Sequence, residues 1–136
     1  TAFYQEDRGL PSKMGAADQT ALWEDPMIDY KRGQYSEAAL GFSRALKKQP
    51  ANDTLLLYLG LAELELGRLE QAERHLQSVK PSAERMYEKA QWYKALLRLR
   101  QGDIDRSRKL LLEIEEDHPY SDKAEQLLLE VEKEYN

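Results

Sequence analysis

The sequence predicts an all-α fold of about three helical hairpins in tandem, closed by a C-terminal capping helix. Three observations predict it. Glycines recur at a fixed period, since Gly33, Gly67 and Gly102 lie 34 and then 35 residues apart. Each glycine opens the same pattern of a polar residue, a large apolar residue, two polar residues and a small one, which yields the pairs Tyr35/Ala38, Leu69/Ala72 and Ile104/Ser107. Before each glycine the apolar residues fall at helical spacing, as in Leu56, Leu59, Leu61, Leu64 and Leu66, and strand-like alternation is absent.

The elements follow in order. Helices are expected over about 19–32, 36–48, 53–66, 70–79, 83–101, 104–117 and 122–135. Each glycine ends a helix because it accepts positive φ without a Cβ clash. The small residue after it lets two helices approach closely. Pro50, Pro81 and Pro119 stop the second helix of each unit, since proline lacks an N–H and clashes with the preceding turn. Asn52-Asp53, Ser82 and Ser121 follow these prolines as N-caps. Asn52-Asp53-Thr54 also has the form of a glycosylation sequon, but the capping role explains it better. In the first unit Pro26 interrupts the helical pattern. Asp25 is therefore expected as an N-cap with Pro26 opening a short helix, or else a kink with a separate turn over 18–24. Pro81 comes only 14 residues after Gly67, where Pro50 and Pro119 each follow their glycine by 17, so the fourth helix should be short and the fifth long. The last helix, with Leu127, Leu128, Leu129 and Val131, is unpaired and covers the end of the array. Residues 1–18 lack helical periodicity and read as an extended arm that carries Phe3, Tyr4, Leu10 and Met14.

With its period, its Gly and Pro markers and the residues Leu56, Leu59-Gly60, Ala72 and Leu76 of the middle unit, the chain resembles the tetratricopeptide repeat family. Ala38, Phe42, Ala45 and Pro50 carry the likeness in the first unit, and Trp92, Ala95, Ser107, Leu111, Ile114 and Pro119 in the third. The resemblance implies a right-handed α-solenoid over 19–136, with repeats at about 19–52, 53–87 and 88–121 and a cap at 122–135. It also implies a non-catalytic scaffold for protein–protein interaction, whose first helices line a concave face. On that face the resemblance places Trp23, Met27 and Tyr30, then Leu57, Leu61 and Leu64, then Lys89, Trp92, Leu96 and Arg100. These residues form the expected binding site for a partner peptide or helix, since aromatics and Met anchor interfaces. Members that clamp a C-terminal carboxylate use Lys, Asn and Arg. Here the matching polar positions hold Trp23, Met27 and Tyr58, and only Lys89 is kept, so a carboxylate clamp is not expected.

Composition narrows the function further. The chain has 136 residues, 33% of them charged, no Cys and only two His. No cofactor, metal site or catalytic residue is expected: His75 and His118 stand 43 positions apart and read as surface or boundary side chains. The carboxylates at Glu115, Glu116 and Asp117 sit at a solvated helix end, without the pocket a general acid needs. A net charge of −5 argues against nucleic acid. The apolar run Leu55–Ala62 is too short for a membrane span. Charge is unevenly spread, because residues 88–112 carry seven basic and three acidic side chains whereas 113–136 carry two basic and nine acidic. The two blocks could pair between copies, so a homodimer, or a homo-oligomerising structural domain of a bacterial envelope protein, is the alternative to a partner-binding module. The arm, with Arg8-Gly9-Leu10-Pro11, resembles the juxtamembrane stretch of small bacterial tetratricopeptide repeat proteins that carry one N-terminal membrane helix. That likeness implies an anchor upstream and a periplasmic location, with the cytoplasm as the alternative.

Overall fold

The computed structural model describes residues 7, 9 and 18–135. Seven α-helices and no strand occur among them: α1 (Asp18–Lys31), α2 (Tyr35–Lys48), α3 (Asp53–Glu65), α4 (Leu69–Gln77), α5 (Arg85–Arg100), α6 (Ile104–Leu112) and α7 (Ser121–Tyr135). They fall into two compact units. One contains α1–α4 and ends at Val79, and the other begins at Lys80 and contains α5–α7. In the first unit α1 packs on α2, α2 on α3 and α3 on α4, and in the second α5 packs on α6 and α6 on α7.

One turn is built three times. Gly33, Gly67 and Gly102 have φ of 76, 77 and 78°. In each, the residue after the glycine sends its N–H back five positions, Gln34 to the Asp29 carbonyl, Arg68 to Glu63 and Asp103 to Arg98, all at 2.9 Å. This bond and the glycine's own N–H bond three residues back satisfy carbonyls the helix end would otherwise orphan. Nothing lies within 4 Å of the place a Cβ would take at these glycines, so the constraint is conformational. Five residues after each glycine stands a fully buried small residue: Ala38, Ala72 and Ser107 are all 0% exposed. Ser107 can be polar there because its hydroxyl donates to the Ala95 carbonyl of α5, 2.9 Å away.

The first helix spans its expected range but lacks the break expected at Pro26. Asp25 does not open it. α1 runs unbroken from Asp18 to Lys31 with Pro26 inside. Pro26 offers no N–H to the Leu22 carbonyl and its ring is bulky, so the neighbouring helix has to make room. Gly41 of α2 does so, as a methyl group there would stand 2.8 Å from the Pro26 Cβ. Gly60 of α3 plays the same part against Leu76 of α4, also at 2.8 Å.

Further differences lie in the second unit. Ser82 is not an N-cap, because Pro81–Ala83 form a separate 3₁₀ turn and α5 begins only at Arg85 after Glu84, which has φ 53°. The sixth helix was expected to reach 117 but ends at Leu112. Glu113, Glu115, Glu116 and Asp117 would crowd negative charge at the negative pole of the helix, which opposes its continuation. The chain instead tightens, with Glu113 N–H shared between the Lys109 and Leu110 carbonyls. Asn52 caps α3 as expected, its Oδ1 accepting from Leu55 N–H at 3.2 Å.

Two glycine substitutions separate these constraints. Gly41→Ala should lower stability by about 1–3 kcal/mol through overpacking, although alanine is the better helix former. Gly67→Ala should cost about 1–2 kcal/mol through the left-handed backbone alone. Denaturant unfolding of both variants measures the two effects. Truncating the opposing ring in Pro26→Ala should recover the first loss and leave the second untouched.

Candidate partner-binding surfaces

The ten residues of the expected inner face lie on α1, α3 and α5. Eight of them are buried: Trp23 is 8% exposed, and Met27, Tyr30, Leu57, Leu61, Leu64, Trp92 and Leu96 are 2% or less. Lys89 is half-buried and Arg100 is exposed. In the first unit Tyr30 stands edge-on to Tyr35 and to Tyr58, with centroids 5.5 Å apart in both pairs, and Tyr58 faces Phe42 at 6.4 Å. An aromatic cluster thus ties α1, α2 and α3 together. In the second unit Trp92 stacks on Tyr120, with centroids 5.6 Å apart and planes 10° from parallel.

Part of the α1 face is covered by the chain's own N-terminal segment. Gly9 lies against it with φ 82°, and a Cβ there would stand 2.7 Å from the Met27 Sδ and 3.2 Å from the Tyr30 ring. The turn is held by Gly9 N–H donating to Asp7 Oδ2 at 2.9 Å. Only a residue without a side chain fits this close to α1. The apolar arm residues Phe3, Tyr4, Leu10 and Met14 lie outside the described residues.

The two histidines have definite structural roles. His118 was read as a surface or boundary residue at a helix C-terminus. It is instead 8% exposed and lies in the loop between α6 and α7. Its Nδ1 accepts from Tyr120 N–H at 3.1 Å, which leaves Nε2–H to donate to Gln91 Oε1 of α5, also at 3.1 Å. His118 therefore fixes Tyr120 where it can stack on Trp92. His75 is partly exposed, with Nδ1 2.5 Å from Glu63 Oε1, and the Glu63 side chain is 7% exposed. A carboxylate only accepts, so Nδ1–H donates. Glu63 is the one acidic residue among ten consecutive buried positions of α3, Leu55–Leu64. His75 is its direct side-chain partner.

Above this pair lies a cleft of about 410 Å³ between α2 and α4. Ser36, Leu40 and Ser43 form one wall, Arg68, Gln71 and Arg74 the other, and Leu59, Glu63 and His75 the floor. Leu40 is 54% exposed although it is apolar. The cleft arises because residues 36, 40 and 43 share one face of α2 while Arg68, Gln71 and Arg74 recur every three residues along α4. A second cleft, of about 380 Å³, lies between α6 and α7, where Glu116, Asp122 and Glu125 surround Leu112 and Leu128.

A family model for the tetratricopeptide repeat matches residues 28–85, the span from within α1 to the start of α5. Residues 28–85 carry tetratricopeptide repeat sequence. Among curated proteins none matches the chain. Repeats of this family generally hold one protein against another as non-catalytic scaffolds. Among the described residues no helix is long and apolar enough to cross a membrane.

The Glu63–His75 pair leads to a prediction about stability. His75→Ala leaves a buried carboxylate without its partner and should cost about 1–3 kcal/mol in thermal or denaturant unfolding. Adding Glu63→Met should return most of that loss, because an apolar side chain of similar length needs no partner.

Proposed function

We propose that this protein is a non-catalytic interaction module, with residues 19–136 as the binding domain and 1–18 as an arm. A partner peptide or helix is taken on the faces that bear the ten residues above, those of α1 and α3 in the first unit and that of α5 in the second. The family match supports the general reading. The apolar and aromatic character of those helices supports the choice of face.

Burial assigns different tasks to the ten residues. Trp23, Met27, Tyr30, Leu57, Leu61, Leu64, Trp92 and Leu96 form the packed floor, so truncating any of them tests folding before it tests binding. Lys89 and Arg100 are the members that solvent reaches, and they select the partner by charge. The observation that carries the proposal is the Gly9 contact on Met27 and Tyr30. The α1 face accepts a backbone turn laid closely against it, and an incoming segment reaches it by replacing Asp7 and Gly9.

The test uses Lys89→Glu and Arg100→Glu, alone and together, after a photoreactive side chain at either position has trapped the partner. The reversals should weaken binding of the identified partner by about tenfold or more while leaving the melting temperature unchanged. Unchanged affinity in the double variant refutes this choice of face.

A further inference from the structure

We propose that the α2–α4 cleft is a docking site for the acidic, leucine-bearing face of α7 from a second copy of this chain. The inference is independent of the inner-face reading, because it concerns the second helices and the capping helix.

The cleft has a definite chemical character. Leu40 stands 54% exposed at its rim. The exposed guanidiniums of Arg68 and Arg74 line the opposite wall, and neither pairs with a carboxylate among the described residues. The one acid in the lining, Glu63, is already bonded to His75. An occupant must therefore bring an apolar side chain for Leu40 and uncompensated carboxylates for the two arginines.

α7 has both on one face. Ala124, Leu127 and Val131 are its buried residues. Beside them run Glu125, Leu128, Leu129 and Glu132, at the i, i+3, i+4, i+7 spacing of a single helix face. Leu129 is 64% exposed. Asp122 extends the acidic edge by one turn, and none of these three carboxylates makes an ion pair among the described residues. A 15-residue helix is about 22 Å long, enough to lie along the whole groove between α2 and α4. The two surfaces thus carry opposite charge and each exposes a leucine. The contact joins different patches of two copies, so it is heterologous: it either closes reciprocally or propagates into chains. Because it relies on exposed charge it weakens as salt rises.

The test is light scattering or sedimentation of the full chain over a wide concentration range, at low and high salt. The mass should rise above the 15.8 kDa monomer with concentration and fall back with salt. Arg68→Glu/Arg74→Glu and Glu125→Arg/Glu132→Arg should each raise the self-dissociation constant by about tenfold or more. Mixing the two variants should restore association, since each supplies the complement of the other. All the altered residues are exposed, and circular dichroism confirms that the variants remain folded. A chain that stays monomeric at every concentration overturns the proposal and leaves the cleft to an acidic helix of another protein. Association that ignores the arginine reversals, or responds to them but not to the α7 reversals, overturns it as well.

Discussion

The helix α3 has no solvent-facing side, and much of the first unit follows from that. Ten successive residues, Leu55–Leu64, are buried, so every direction around the helix must be packed and every polar atom in it satisfied. Gly60 lets α4 approach closely enough for Leu76 to cover the backbone. Tyr58 supplies the ring that joins Tyr30 of α1 to Phe42 of α2. Glu63 is the exception to this apolar surround, and it is accommodated because α4 places His75 against it. Remove the close approach at Gly60 and the imidazole no longer reaches the carboxylate. One steric fact and one electrostatic fact are thus coupled through the separation of two helices.

The three glycine turns govern how hairpins form, and the sequence departs from regularity only where something else fills the gap. Pro26 within α1 disrupts a backbone hydrogen bond, yet the helix continues because Gly41 leaves room for the ring. In the second unit α6 stops early, under the charge of four acidic residues. The loop that follows is ordered by His118, which bonds Gln91 on one side and Tyr120 on the other. Neither departure alters which helices pair. Local irregularity is tolerated here because the small residues Ala38, Ala72 and Ser107 hold the helix contacts at fixed points along each repeat.

The order and pairing of the helices were legible in the sequence because the glycine period and the buried small residue five places later report backbone geometry directly. Helix ends were less legible. Apolar spacing carried the sixth helix past Leu112, whereas the decisive influence was the acidic run after it. Pro26 misled for a related reason: its compensation, Gly41, lies 15 residues away on another helix. The expected inner face was legible as apolar, but periodicity cannot tell a packed floor from an open groove, and eight of its ten residues are buried. The pairing of His75 with Glu63 escaped notice because they are 12 positions apart, a separation that carries no meaning until α3 and α4 are folded together. A single glutamate within a run of leucines was the one available signal. The α2–α4 cleft was hidden likewise, as it is composed of two stripes that are each unremarkable alone.

The repeat register explains why charge can vary so freely on the outer surface. Five residues after each glycine the position is fully buried and holds Ala38, Ala72 or Ser107, since any larger side chain would separate the helices. Two residues further on, the same turn of helix faces solvent and holds Leu40, Arg74 or Lys109. Packing fixes the first position and is indifferent to the second. The scaffold can therefore set an exposed leucine opposite two arginines in one unit and give the other an acidic terminal face, without cost to the core. The first helices have little such freedom, because the same side chains that would meet a partner already hold the hairpins together. In this chain the surface that can differ from repeat to repeat is the one borne by the second helices and the cap, and there the unpaired charges and the exposed leucines are found.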